Sequence, residues 1–262
     1  MSDALVSVLG WSATILHGDP TVFDRWLWLR RHLAPGSRRT LDAGCGNGAF
    51  TLYAARIGNQ AIGISHDEVS ARRAAARSSL LNLSDVSFLT GDLRQLDGMR
   101  NSLGTFDQVL CLETIEHILD DRKLARDLSA MLRPGGSLLL TTPYRDCPPL
   151  RGDKLSRTED GGHVRWGYTH AEMRALLAGA GLKNVAEEYV SGFVSQKIAN
   201  LMRAIGGLNQ LAGWAATFPL RIAQAADRRF TDSFHKPYLS IAVVARKQSG
   251  SDSVRELTGV RQ

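Results

Sequence analysis

The stretch Thr40-Leu-Asp-Ala-Gly-Cys-Gly-Asn-Gly-Ala-Phe50 sets glycines at 44, 46 and 48 directly behind a short apolar run. Glycine lets a backbone turn sharply and approach a ligand closely. A strand feeding such a loop and then a helix builds the ligand crevice of an open α/β sheet, beside a helix N-terminus. The dinucleotide fingerprint wants glycine at its first, third and sixth positions. Counted from Gly44 the last of these is Ala49, which that fingerprint tolerates, and Gly48 is extra. Asp42 stands two residues before the first glycine, where a carboxylate could face a cationic ligand and would repel a pyrophosphate. A second kind of chemistry, proton removal near neutral pH, points to histidine. His163, in Gly161-Gly-His-Val-Arg-Trp-Gly-Tyr168, and His117, four residues after Glu113, are the candidates. No HExxH and no Cys/His cluster appears, so no metal is expected.

These residues need elements to hold them. The spacing of Phe23, Trp26, Leu27 and Arg30 predicts a helix over Thr21–Leu33, started by Pro20 and stopped by Pro35-Gly36. From residue 38 strands and helices alternate. Strands are predicted at Arg39–Ala43, Gln60–Ser65, Val86–Thr90, Phe106–Leu112 and Ser137–Thr142. Helices are predicted at Ala49–Ile57, at Glu68–Leu81 with Asp67 as N-cap, and at Arg122–Leu132, the last ended by Pro134-Gly135-Gly136. That alternation argues for a parallel sheet covered on both faces. An irregular stretch (143–167), a helix (His170–Ala180), a strand (Val185–Val190), a helical segment (195–236) and a closing strand (Leu239–Arg246) follow. The expected organisation is a helical cap over 1–36, a domain over 37–247 that carries the insertion 195–236, and a loose tail over 248–262.

Composition narrows the classes. The 262 residues, 44% hydrophobic and 22% charged, suit one globular α/β domain rather than a disordered or fibrous chain. Three cysteines without CxxC spacing fit a reducing compartment, and the expected location is cytoplasmic. The first twenty residues lack a basic n-region and read as mature sequence, and no run is long and apolar enough to span a membrane. A net charge of +6 without a basic, aromatic-laced stripe makes nucleic acid an unexpected partner. Six Lys or Arg against two Asp fall within 195–236, among Ile198, Leu201, Met202, Ile205, Leu208, Leu211, Trp214 and Phe218. Two readings stay open: a lid over the site, which is favoured, or a basic amphipathic contact with an anionic membrane. The oligomeric state is not legible.

The glycine stretch resembles motif I of the class I S-adenosylmethionine (SAM)-dependent methyltransferases, [DE]xGxGxG. Gly-Asp-Leu-Arg (91–94), the run Phe106–His117 ending in Glu-His, and Leu132-Arg-Pro-Gly-Gly-Ser-Leu138 are similar to that family's later motifs in order and spacing. The resemblance implies a Rossmann-like seven-stranded sheet, mostly parallel, with an antiparallel last strand, and SAM as cofactor. It implies a cofactor site made of Asp42, Gly44, Cys45, Gly46 and Gly48, with Asp92 on the adenine amine beside Leu93 and Leu112. The family's ribose carboxylate is replaced here by Ser65, in Gly63-Ile-Ser-His66, and His66 is placed near the adenosine. This variant looks like one in cyclopropane-synthase-like and sterol C-methyltransferases. The segment around His163 looks like the "HVRxFT" stretch of relatives of the ubiquinone-biosynthesis O-methyltransferases. The resemblance therefore implies methyl transfer to a small-molecule acceptor, a hydroxyl first, bulky or lipid-like, with His163, His117 and Glu113 as catalytic candidates. C-methylation or cyclopropanation, and a non-catalytic SAM-binding subunit, remain as alternatives.

Overall fold

The computed structural model describes residues 3–150 and 152–248. Three helices open the chain: α1 (Asp3–Leu9), α2 (Ser12–Leu16) and α3 (Pro20–His32). Asp19 caps α3 by accepting from the Thr21 amide, and Pro20 fills the first turn, where its missing N–H costs nothing. The alternating region follows as β1 (Arg39–Ala43), α4 (Ala49–Arg56), β2 (Gln60–Ser65), α5 (Glu68–Leu80), β3 (Val86–Thr90), α6 (Leu96–Leu103), β4 (Phe106–Leu112), α7 (Asp121–Met131) and β5 (Leu132–Pro143). Asp67 caps α5, taking the Val69 and Ser70 amides as expected. Then come α8 (His170–Ala178), β6 (Leu182–Val190), α9 (Phe193–Gly206), α10 (Gln210–Thr217), a 3₁₀ segment Pro219–Ala226, α11 (Asp227–Ser233) and β7 (Ser240–Lys247).

The seven strands form one sheet in the order β3-β2-β1-β4-β5-β7-β6. β1 to β5 pair in parallel, whereas β7 runs antiparallel to both β5 and β6. Strand periodicity divides the core in two. Val109, Cys111, Leu138, Leu140, Ile241 and Val243 face the layer holding α6, α7 and α8. Leu110, Leu112, Leu139, Ala242 and Val244 face Trp28 and Leu29 of α3 and Ala54 and Ala55 of α4. Of the N-terminal helices, α3 is therefore part of one sheet-covering layer. The strand order reverses between β1 and β4, and the crevice at that switch point is where such sheets bind ligands.

Two departures from the sequence reading have local causes. α6 was not expected, since Gly98 and Asn101 weaken its helical signal. β5 starts at Leu132 rather than Ser137: Phe106 pairs with Leu132 and Gln108 with Ser137, so Pro134-Gly135-Gly136 is a bulge inside the strand. The tail expected from residue 248 lies, beyond Gln248, outside the described residues.

Candidate active site

Two cavities meet at the carboxyl ends of β1 and β4. The outer cleft, about 830 Å³, is lined by the glycine loop (Gly44, Gly46), the end of β2 (Ser65, His66) and the loop after β3 (Asp92, Leu93). Its size is that of a small-molecule or cofactor site. The inner pocket, about 190 Å³, is bounded by Asp19 and Arg25 from the cap, Tyr144, Asp153, His163 and Trp166 from the loop after β5, and Arg203 from α9. Glu113 and His117 line both. They are the shared wall.

The glycine loop is shaped by contacts that a side chain would destroy. Gly44 has φ +92°, and a Cβ there would lie 2.3 Å from the Thr114 hydroxyl oxygen, so β1 and the β4 loop close on each other only through glycine. Gly46 also has positive φ, with open space around its missing Cβ, which leaves the backbone facing the cleft. Gly48 does different work. Its Cβ would strike Ala74 and Phe88, so it packs the start of α4 against α5 and β3 and is not at the ligand surface.

Three other residues expected at the cofactor also stand behind the cleft wall. Asp42 is buried, and its carboxylate accepts from the Thr51 hydroxyl at 2.6 Å rather than facing the cavity. Burial pushes it up to about 6. Cys45 turns its sulfur toward Gly63 on β2, and Leu112 packs in the α3 layer of the core. The reason is strand alternation: residues ending a strand point into the layers, while the loop backbone beyond them reaches the crevice. Ser65, His66, Asp92 and Leu93 do line the cleft. Ser65 Oγ is engaged with the Asp67 backbone, at 3.2 Å to both its N–H and its carbonyl. Arg94 clamps Asp92 in a two-toothed contact, 2.9 Å from Nε to Oδ1 and 2.6 Å from Nη2 to Oδ2, and reaches Glu159 at 3.0 Å. That pairing holds the Asp92 carboxyl below the usual carboxylate range.

The shared wall carries unspent polarity. Glu113 sits at φ +49°, an uncommon backbone state for a residue with a side chain. Its amide donates to the Thr141 carbonyl, Oε2 accepts from Ser240 at 3.3 Å, and Oε1 is buried without a partner. Glu116 is fully buried, accepting from Thr142 at 3.1 Å through Oε2, with Oε1 unpartnered. Burial, reinforced by the Glu113 charge, holds the Glu116 carboxyl well above its ordinary range. His117 donates from Nδ1 to the Gly162 carbonyl at 3.0 Å, which leaves the Nε2 lone pair free, 4.0 Å from Glu116. A carbonyl accepts only, so the tautomer follows from the partner.

His163 stands edge-on to His117, with ring centroids 4.8 Å apart. Burial first, and then His117, lowers its affinity for a proton, so the ring is neutral near pH 7. Its segment is fastened to the β4 loop by the Val164 amide on the Glu116 carbonyl (2.9 Å) and by Arg165 on the Ile115 and Leu119 carbonyls. The three catalytic candidates thus converge, and Glu116 joins them. Glu116, His117 and His163 offer a carboxylate oxygen and two imidazole nitrogens within 4.8 Å of one another, a donor set that borderline divalent cations accept. Glu116 was present in the Glu-His motif as a sequence signal. Asp19, Arg25, Asp153 and Arg203 gave none, since they come together only in three dimensions.

The cleft fits an adenosyl ligand at two points: an open glycine backbone, and a carboxylate poised beyond β3. A methyltransferase-domain family model matches residues 22–187. The ubiquinone biosynthesis O-methyltransferase of Xanthomonas axonopodis pv. citri (strain 306) is 30% identical over 185 residues, 67% of this chain and 74% of the relative. That of Caulobacter vibrioides is 31% identical over 149 residues, 53% of this chain and 57% of the relative. Among solved structures, a SAM-dependent methyltransferase of Mesorhizobium loti aligns at TM-score 0.58 with 19% identity, covering 88% and 100% of the two chains. The N-methyltransferase NodS of Bradyrhizobium japonicum, solved with S-adenosylhomocysteine, aligns at 0.56 with 18% identity over 88% and 90%. The [4+2]-cyclase SpnF aligns at 0.58 with 25% identity over 87% and 82%. With the family model spanning more than half the chain, the protein belongs to the methyltransferase-domain family and is a SAM-dependent methyltransferase.

Proposed function

We propose that this enzyme methylates a hydroxyl group of a small-molecule acceptor held in the inner pocket, with His163 as general base. The observation that carries the reading is the wall shared by the two cavities. A nucleophile in the inner pocket meets the outer cleft at Glu113 and His117, so the two reactants approach in line across one partition. The cofactor supplies a methyl carbon already bonded to a sulfonium, a leaving group that needs no acid.

The chain therefore has to position the acceptor and take a proton. The acceptor oxygen forms the new bond to the methyl carbon as the carbon–sulfur bond breaks, and the hydroxyl proton passes to the neutral His163 imidazole. His117, fixed in one tautomer by the Gly162 carbonyl, orients that ring. The orphan Oε1 atoms of Glu113 and Glu116 offer hydrogen-bond partners for a second acceptor hydroxyl, an arrangement that suits a vicinal diol or catechol-like group. Two relatives named for O-methylation support a hydroxyl acceptor over a carbon one.

The test is turnover with a catechol-bearing acceptor, followed as S-adenosylhomocysteine release. His163→Asn is expected to slow transfer by roughly 10²–10⁴-fold, the usual worth of a positioned base, with cofactor affinity unchanged. Full activity in that variant excludes His163 as the base. A second reading has its own observation: the Glu116, His117 and His163 donors can hold a divalent cation that binds the acceptor oxygen directly. Chelator-sensitive activity restored by a divalent cation favours that reading, and chelator-insensitive activity removes it. No turnover with any hydroxylated acceptor, alongside tight cofactor binding, rejects the hydroxyl acceptor and leaves C-methylation as the alternative.

A further inference from the structure

The insertion after β6 has two faces of opposite character. Its inner face is bound into the protein. Asp227 accepts from the Gly192 and Val194 amides at the start of α9, each at 2.8 Å, and Gln224 reaches Asp24 and the Pro20 carbonyl on α3. Trp214 donates to the Leu16 carbonyl and stacks on His17. Arg203 of α9 pairs with Asp153 at 2.5 Å beside the inner pocket. So the segment is part of the pocket's roof.

Its outer face is apolar and open. Leu208 is 92% exposed, Ile222 83% and Leu211 65%, with Phe218 and Leu220 also exposed between them. From Ala204 to Ala226 the only charged residue is Arg221, and its guanidinium is turned inward to the Gly18 carbonyl. Downstream, Phe230 and Phe234 of α11 are exposed and stack in parallel, centroids 6.1 Å apart. A soluble chain seldom leaves so many large apolar side chains in water without something to cover them.

Charge selects the occupant. Lys197 on α9, Arg228 and Arg229 on α11, and Lys236 just after it are exposed. Of the insertion's two acids, Asp227 is buried and spent on the α9 amides, while Asp232 lies near Arg228 and accepts from Tyr238. The exposed surface of the insertion therefore combines large apolar side chains with cations. A second copy of this chain would bring the same cations against themselves. A bilayer with anionic headgroups meets both features at once.

We propose that the 204–234 face of the insertion docks on an anionic lipid surface, with Leu208, Leu211 and Ile222 entering the headgroup–acyl boundary. The insertion that forms part of the pocket's roof then also rests on the membrane, so an acceptor with an apolar tail can reach the pocket without crossing water. No helix among the described residues is long and apolar enough to cross a membrane, so the contact is peripheral.

The experiment is co-sedimentation of the full chain with phosphatidylglycerol/phosphatidylcholine vesicles and with pure phosphatidylcholine vesicles, at low and high salt. Binding to the anionic vesicles that weakens with salt is expected. Leu208→Glu with Ile222→Glu is expected to lower it by roughly tenfold or more, since each change sets a charge where an apolar side chain inserts. Both positions lie at the surface, and retained S-adenosylhomocysteine binding reports an intact fold. Arg228→Gln with Arg229→Gln is expected to give a loss of a few fold and a shallower salt dependence, and serves if the first pair fails to fold. Absence of binding to anionic vesicles, or binding unchanged in both pairs, overturns the proposal. So does a dimer in solution that Leu208→Glu with Ile222→Glu dissociates, because a second copy then covers the face.

Discussion

The outer cleft and the inner pocket lie on either side of one wall and are built by different means. The cleft takes much of its shape from backbone: the glycine turns at 44 and 46 and the strand end at Ser65, with the Asp92 carboxylate beyond β3. The pocket is made of side chains from five separate parts of the chain, including Asp19, Glu113, Asp153, His163 and Arg203. On the far side of the cleft Ser65 is engaged with Asp67 and Asp92 with Arg94. At the shared wall and in the pocket, Glu113 and Glu116 each keep a buried carboxyl oxygen without a partner, and Glu113 bears an uncommon backbone angle as well. A half that binds a fixed cofactor can be satisfied in advance. The half that does chemistry holds its capacity open for the substrate.

The sharpest break in that comparison comes from the glycine loop. Gly44→Ala puts a methyl 2.3 Å from the Thr114 hydroxyl oxygen at a positive φ, and is expected to weaken SAM binding by roughly a hundredfold or more in calorimetric titration. Ordinary affinity in this variant removes the close approach from the account of the cleft. On the pocket side Glu113→Gln keeps the shape and removes the charge at the wall. It is expected to cut transfer by roughly tenfold or more with cofactor affinity nearly unchanged, read as a fall in kcat without a matching change in cofactor Kd.

A smaller effect separates α3, where the insertion's inner face packs on it, from both. Burial pushes Asp24 up to about 7. A carboxyl whose folded value exceeds its unfolded one is protonated more in the folded state, so the contribution of Asp24 to stability is greatest below about pH 4 and falls as pH rises toward 7. Asp24→Asn is expected to flatten that part of the thermal-unfolding profile relative to the parent, measured between pH 4 and 8. A parallel profile in the two proteins contradicts the assignment. The smallest stability change is expected from Glu113→Gly, where relief of the positive φ raises stability by about 1 kcal/mol. A lower melting temperature indicates that Glu113 holds the wall rather than being held by it.

The same contrast explains what could be read from the sequence. β1 to β4 and the Asp67 cap follow from alternation, turn residues and local capping, so they are legible within windows of a few residues, whereas the antiparallel direction of the closing strand was legible only through the family resemblance. The ends of β5 and the existence of α6 were not, because a bulge at Pro134–Gly136 and a glycine within α6 blur local signals that tertiary pairing overrides. Asp42, Cys45 and Gly48 belong to the motif yet lie behind the surface it presents, a distinction of facing that a one-dimensional pattern does not carry. Arg203 and Asp153 lie fifty residues apart in sequence and meet only because α9 folds back over the pocket.

A crystal structure with S-adenosylhomocysteine and a catechol-bearing acceptor tests the two-cavity arrangement most directly. The expected result is the thioether sulfur beside Glu113 and His117, with an acceptor hydroxyl within hydrogen-bond reach of the His163 ring. An acceptor lodged instead in the groove of about 810 Å³ along α7 and α8, between Arg126, Arg145 and Trp166, would contradict it.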